Sequence, residues 1–140
     1  MIVIDTNVLS ELLRQTPDRR VLNWFDQMPL ESLWSNAITI FEIRTGLEGM
    51  PSSRRRRELE AEFSRVIEDD FENRVLAFDQ AAANAAGAIA AKQRRAGRPV
   101  EVRDVQIAGV VSARKATLAT RNVRHFEGIG LNLVDPWSAA

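Results

Sequence analysis

The sequence predicts an α/β fold, with a central parallel sheet of four to five short strands flanked by helices. Short apolar runs alternate with segments of helical spacing along the whole chain. The chain also opens with a strand–turn–helix unit, in which the apolar run 2–4 stops at Asp5 and helical spacing follows from Val8 to Leu13. Strands that alternate with helices pair in parallel, because each helix returns the chain to the end of the sheet at which the preceding strand began.

Composition limits the class of protein. A chain of 140 residues forms one domain, 1–140, and buries about two thirds of its unfolded surface. The absence of cysteine excludes a disulfide scaffold and a thiolate metal site. No signal peptide and no apolar run of membrane-spanning length is visible, so we expect a soluble, cytoplasmic protein without membrane association. Nineteen basic and nineteen acidic residues cancel, so any contact with nucleic acid depends on local charge.

The second strand is predicted at 33–37, after a helix that Asp18 caps. Thr39 and Glu42 then match the capping-box pattern S/T-x-x-E, which predicts a helix beginning at Thr39 and gives Glu42 a structural role. Because this helix follows a strand, Glu42 also lies at the sheet edge that carries Asp5. Both roles for Glu42 stay open at this point.

Four consecutive arginines, 54–57, begin a long charged helix that ends near Asp69. Arg54 and Arg56 each have a glutamate four residues later, which favours a solvated helix with ion pairs along one face. Four cations at a helix N-terminus nevertheless oppose the helix dipole. A patch that binds phosphate or a partner is therefore the alternative.

A third strand is predicted at 74–78, closed by Asp79. Asp79 is a good N-cap for the next helix, 80–96, which is rich in alanine. We expect its small side chains to allow close packing against the sheet. The tryptophans of the chain are predicted to lie in the core: Trp24, Trp34 and Trp137.

Asp104 stands at the polar start of a helix that extends to Ala113 and is apolar on nearly all sides, hence buried. A fourth strand is predicted at 117–120, a loop or short helix at 121–126, and a last strand at 131–134. Asn122 therefore follows directly on a strand end.

Asp5, Glu42 and Asp104 all stand at helix starts, so the predicted topology brings them to one edge of the sheet, with Asn122 nearby. Two carboxylates about 4 Å apart repel each other by roughly 4 kcal/mol at an effective dielectric constant near 20. A bound cation removes this repulsion. With no cysteine and one histidine, the natural choice is a hard ion held by oxygen, Mg²⁺ or Mn²⁺. Such a site suits hydrolysis of a phosphodiester.

Four segments together resemble a PIN domain, and the likeness is greatest to the VapC/FitB-type toxins of bacterial toxin–antitoxin pairs. The resemblance covers the whole chain in the correct order. The segments are 4–12, 39–46, 104–108 and 119–128. Each segment alone is weak evidence for the family, but all four in the correct order are specific for it.

The resemblance implies a Mg²⁺- or Mn²⁺-dependent endoribonuclease in which Asp5, Glu42 and Asp104 match the acidic residues of the family. It implies that Asp5 and Asp104 hold the ion, and that Glu42 completes the shell or acts as a general base. Thr6 and Asn7 then position Asp5. The chain departs from the family at Asn122, where many PIN domains carry Asp. An amide there still hydrogen-bonds water near the ion, but one ion is expected and not two.

The resemblance also implies partners: an RNA substrate, a homodimer, and a small antitoxin that places a basic side chain in the acidic site. Contact with DNA then occurs only through the antitoxin. Basic residues near the site are candidates for guiding the RNA backbone, while His125 is an acid for the leaving group, a contact to RNA or an ordinary loop residue. These basic residues are Arg98, Arg103, Arg121 and Arg124. The alternative is a non-catalytic PIN scaffold that binds RNA or protein, which only Asn122 favours.

Overall fold

The computed structural model describes residues 1–138, and the predicted α/β class is confirmed. Five parallel strands form one sheet in the order β3-β2-β1-β4-β5. The strands are β1 (Ile2–Ile4), β2 (Leu33–Asn36), β3 (Val75–Leu76), β4 (Thr117–Ala119) and β5 (Asn132–Val134).

Helices connect the strands as the alternating pattern predicts. They are α1 (Thr6–Leu12), α2 (Arg19–Gln27), α3 (Ala37–Glu48), α4 (Arg54–Arg65), α5 (Gln80–Arg95), α6 (Val102–Ala113) and α7 (Val123–Phe126). A π-helical turn, Val66–Asp70, continues α4, and a 3-10 turn, Leu30–Ser32, precedes β2. In the part of the chain that is described, no helix is long and apolar enough to cross a membrane.

Helices cover both faces of the sheet. Val3 and Ile4 are fully buried neighbours on β1, and because successive strand residues point to opposite faces they enter two different hydrophobic clusters. Ile4 packs with residues of α1 to α4, whereas Val3 packs with residues of α5 and α6. Burial on both faces explains why the central strands read as continuous apolar runs.

The register between β1 and β4 positions the site. Ile4 pairs with Ala119, and the Asp5 amide donates to the Ala119 carbonyl at 2.9 Å. Asp5 and Thr120 are therefore the first residues beyond two adjacent strands, at the same edge of the sheet.

The capping box predicted at Thr39 is wrong. Asn36 caps α3, because its side-chain oxygen accepts from the Thr39 amide at 2.9 Å, so the helix begins at Ala37. The amide nitrogen of Asn36 also donates to the Ile4 carbonyl at 3.2 Å, which ties the end of β2 to β1. Glu42 consequently lies in the second turn of α3 and has no capping role.

The alanine-rich helix α5 packs closely against α6, not mainly against the sheet as predicted. A Cβ atom on Gly109 would lie 2.5 Å from the Ala82 carbonyl oxygen and 2.6 Å from the Ala86 side chain. The small residues therefore permit a close contact between α5 and α6, the helix that carries Asp104.

Other local predictions are confirmed. Asp18 and Asp79 cap α2 and α5 through side-chain bonds to backbone amides. Arg54 and Arg56 bond their glutamates four residues on, and Arg56 also bonds Glu48 at 2.9 Å, as expected of a solvated helix. Among the tryptophans, Trp24 and Trp137 are buried and Trp34 is partly buried.

Candidate active site

Asp5 is the most buried carboxylate at this edge, with 4% of its surface exposed. It caps α1, because Oδ1 accepts from the Thr6 amide at 2.8 Å. The other oxygen, Oδ2, accepts from the Thr120 hydroxyl at 2.7 Å. Burial raises the pKa of Asp5 to about 6, and the charges of Asp104 and Glu42 add to this effect.

Asn7 joins Asp5 to the segment after β4. Its side-chain nitrogen lies 3.4 Å from both Asp5 Oδ2 and Thr120 Oγ1, and its side-chain oxygen accepts from the Arg121 amide at 3.2 Å. These contacts fix the orientation of the buried carboxylate.

Glu42 is held by two threonines. The Thr6 hydroxyl donates to Glu42 Oε1 at 2.8 Å and lies 2.9 Å from the Thr39 hydroxyl. The other oxygen of Glu42 is 3.8 Å from the Arg103 guanidinium. Since Thr6 directly follows Asp5, this hydrogen bond links α1 to α3 across the site.

Asp104 lies in the first turn of α6, which Glu101 caps. Burial raises the pKa of the partly buried Asp104 carboxyl, and the neighbouring charge of Glu101 acts in the same direction. His125 Nδ1 lies 3.4 Å from Asp104 Oδ2. His125 thus reaches the site, which the sequence left open.

The three carboxylates share one edge of the sheet but do not close around a cation as they stand. Across residues 1–138, no three acidic or histidine side chains are close enough together to hold a metal ion. Glu42 and Asp104 instead face Arg103 and His125. The donor set nevertheless fits a hard cation, since it consists of oxygen atoms and includes a buried carboxylate with a raised pKa.

Asn122 is the candidate that the fold does not bring into contact with the carboxylates. Its side chain is exposed and forms no hydrogen bond within the described residues, whereas its backbone amide donates to Thr120 Oγ1 at 3.0 Å. Thr120, which we did not predict as a site residue, is fully buried and bonds Asp5 directly. The signal that could have identified Thr120 is its hydroxyl group, because Thr120 directly follows β4, the strand that pairs with β1.

Basic side chains surround the acidic edge. Arg98, Arg124 and His125 line a cavity of about 370 Å³ that has Asp104 in its wall. Arg121 packs its guanidinium over the Trp137 ring, 4.9 Å from the ring centre, so it is partly committed to the fold.

These features define an α/β protein with an acidic site at the carboxyl edge of a parallel sheet. The PIN domain family model matches residues 2–130, and the chain belongs to the PIN domain family. The family resemblance that four short segments predicted is thereby confirmed.

The chain is similar to three curated proteins over nearly its whole length. It is 41% identical to the plasmid stability protein StbB of Pseudomonas syringae pv. tomato, covering 99% of this chain and 100% of StbB. It is 37% identical to the VapC ribonuclease Y4jK of Sinorhizobium fredii, covering 100% of both. It is 31% identical to the toxin FitB of Neisseria gonorrhoeae, covering 98% and 99%.

Solved structures show the same likeness. The FitAcB crystal structure from Neisseria gonorrhoeae superposes with a TM-score of 0.90 at 31% identity, covering 99% of this chain and 100% of the other. The DNA-bound VapBC structure from Salmonella typhimurium gives a TM-score of 0.78 at 29% identity, covering 96% and 97%.

Proposed function

We propose that this protein is a metal-dependent endoribonuclease that acts as the toxin of a toxin–antitoxin pair. The observation that carries the proposal is the buried Asp5 carboxylate, held by Thr6 and Thr120, at the edge that Glu42 and Asp104 share. The 37% identity to a VapC ribonuclease supports the same reaction.

Asp5, Glu42 and Asp104 would hold Mg²⁺ or Mn²⁺. Because burial and two neighbouring charges disfavour the ionised form of Asp5, a divalent cation is the partner that this cluster suits. When bound, the ion would activate a water molecule and neutralise charge that develops on the phosphate. Binding requires Glu42 and Asp104 to turn from Arg103 and His125 toward Asp5.

The chain's own residues have distinct roles in this reaction. Thr120 and Asn7 orient Asp5, and Thr6 orients Glu42 through the hydroxyl bond at 2.8 Å. Glu42 either completes the ligand set of the ion or orients the attacking water as general base. Asn122, at the exposed end of the same edge, hydrogen-bonds water or a phosphate oxygen of the substrate.

The partner is an antitoxin protein. Solved neighbours include DNA-bound VapBC and FitAB complexes, and we extend that pairing to this chain. A basic side chain of the antitoxin would enter the acidic edge in place of Arg103 and His125. DNA is then contacted through the antitoxin, and the toxin, a single PIN domain over 1–140, acts in the cytoplasm as a homodimer.

The decisive experiment is cleavage of end-labelled total RNA by antitoxin-free protein in Mg²⁺, Mn²⁺ or EDTA. Cleavage is expected with either metal and absent in EDTA and in Asp5→Asn. Asp26→Asn is the matched control, because Asp26 is an exposed carboxylate on α2, outside the segments that carry the site residues. Cleavage that survives Asp5→Asn would contradict the assigned site.

A non-catalytic PIN scaffold is the second candidate. The exposed side chain of Asn122, at a position where many PIN domains carry Asp, favours it. Tight binding of RNA or antitoxin without cleavage in any metal would establish this candidate and remove the first.

A further inference from the structure

A cavity of about 370 Å³ opens beside Asp104, between the end of α5, the loop before α6 and helix α7. Its volume falls in the range of about 300–1,000 Å³ that is usual for small-molecule sites. Because Asp104 forms part of its wall, a group in the cavity lies next to the proposed reaction centre.

The side chain of Gln93 indicates which kind of ligand the cavity would bind. It lies in the last turn of α5, is only 6% exposed, and lines this cavity. Its side-chain amide makes no hydrogen bond to another of residues 1–138, and its polar atoms are not fully enclosed, since Ser35 Oγ is the one fully buried side-chain polar atom without a partner among these residues. The amide therefore offers one donor group and one acceptor to an occupant of the cavity.

The charges of the lining exclude a simple phosphate site. Two arginines and a histidine face three carboxylates, so the positive potential is largely cancelled. The basic residues are Arg98, Arg124 and His125, and the acidic ones are Glu101, Asp104 and Glu127. Such a wall suits an uncharged ligand that carries both hydrogen-bond donors and acceptors, as a nucleobase does.

We propose that this cavity binds the base of an RNA nucleotide next to the scissile phosphate, and that the Gln93 amide reads its hydrogen-bonding edge. The inference rests on the proposed ribonuclease function and adds its sequence preference. His125, with 59% of its side chain exposed, offers a ring face for stacking. The exposed side chains of Arg98 and Arg124 would contact flanking phosphates outside the cavity, which position the strand without reading its sequence.

The test is cleavage of a randomised single-stranded RNA in Mg²⁺, followed by sequencing of the products. The native protein is expected to prefer one base near the cut by about fivefold or more. Gln93→Leu keeps the approximate shape but removes both polar groups, so this preference should disappear while cleavage continues. Gln93→Glu lacks the donor and should shift the preference toward bases that present donors.

Gln106→Leu is the matched control, because Gln106 lies on α6 and lines a different groove, with Phe41 and Val102. It should leave the preference intact. Unchanged base frequencies in both Gln93 variants, or equal loss in Gln106→Leu, would overturn the proposal. If circular dichroism shows that Gln93→Leu does not fold, the base preference of Gln93→Glu alone decides whether the proposal holds.

A binding measurement separates this proposal from the proposed function. Asp5→Asn protein is titrated with fluorescent RNA oligonucleotides that differ at one base, with and without Gln93→Leu. A base-dependent Kd that Gln93→Leu abolishes supports the pocket even if the native protein does not cut RNA. Cleavage without any base dependence contradicts the pocket alone.

Discussion

The Thr120 hydroxyl donates to Asp5 Oδ2 at 2.7 Å across 115 residues of sequence, and both side chains are buried. The same hydroxyl oxygen accepts from the Asn122 amide at 3.0 Å. Thr120 therefore connects the carboxylate at the end of β1 with the segment that follows β4. A buried carboxylate without this donor would lose part of what stabilises its charge.

We expect Thr120→Val to lower both stability and metal affinity. Valine keeps the shape but leaves Asp5 Oδ2 without its short hydrogen bond, which costs about 1.5–3 kcal/mol in the free energy of unfolding at pH 7. Loss of an outer-shell partner should also weaken Mn²⁺ binding about 10- to 100-fold. Urea unfolding and calorimetric titration measure the two effects.

Thr117→Val is the control, since Thr117 lies on the same strand, is partly exposed and makes no bond to Asp5. It should change stability by about 0.5 kcal/mol or less. Equal effects of the two substitutions would show that β4 requires threonine for a reason unrelated to Asp5.

Asp5→Asn should stabilise the metal-free protein while abolishing cleavage. The pKa of Asp5 rises from its ordinary value of 3.8 to about 6 on folding, so the folded state holds this proton more tightly. The stability that the proton supplies is fully present below pH 4 and is lost as the pH rises through 6. Above pH 6 the ionised carboxylate costs about 3 kcal/mol.

Urea unfolding in EDTA, at intervals from pH 4 to pH 7, tests the direction of this pH dependence. The advantage of Asp5→Asn over the native protein should grow with pH and level off above about 6. Asp26→Asn, on the exposed surface of α2, should stay within about 0.5 kcal/mol of the native protein throughout. An advantage that does not vary with pH would mean that burial does not disfavour the Asp5 charge.

Gly109→Ala should destabilise the fold through the contact between α5 and α6. The added Cβ would lie 2.5 Å from the Ala82 carbonyl oxygen, which is backbone and moves only with the helix. Overpacking of this kind costs about 1–3 kcal/mol. Thermal unfolding should show a lower Tm, and cleavage should fall because α6 carries Asp104.

Gly87→Ala on α5 provides the contrast, because nothing lies within 4 Å of a Cβ at that position. Alanine there should raise stability by up to about 1 kcal/mol through helix propensity alone. If Gly109→Ala also raised the stability, α5 and α6 would not approach each other as closely as described.

Asn122→Ala tests the proposed role of this exposed amide. If Asn122 bonds water or substrate at the site, cleavage should fall by about tenfold or more with little change in Tm. Asn132→Ala, at an exposed position on β5, should affect neither quantity. Full activity of Asn122→Ala would remove Asn122 from the site and leave three carboxylates there.

Local chemistry explains which predictions from sequence were confirmed. Alternation of apolar runs with helical spacing predicts strands and helices, and alternating units pair in parallel for steric reasons. N-caps such as Asp18 and Asp79 depend on backbone amides within three residues. The capping box at Thr39 was wrong because the competing cap, Asn36, also bonds Ile4 on a neighbouring strand.

By itself, the sequence determined the α/β class, the parallel sheet and the end of the sheet at which Asp5, Glu42 and Asp104 lie. Only the tertiary structure decided which side chains touch Asp5 and how the carboxylates are oriented. The Asp5–Thr120 bond depends on strand register, and the Glu42–Thr6 bond on how α3 packs beside α1. These are contacts between residues far apart in sequence, so no local pattern encodes them, and the burial that raises the pKa of Asp5 follows from the same packing.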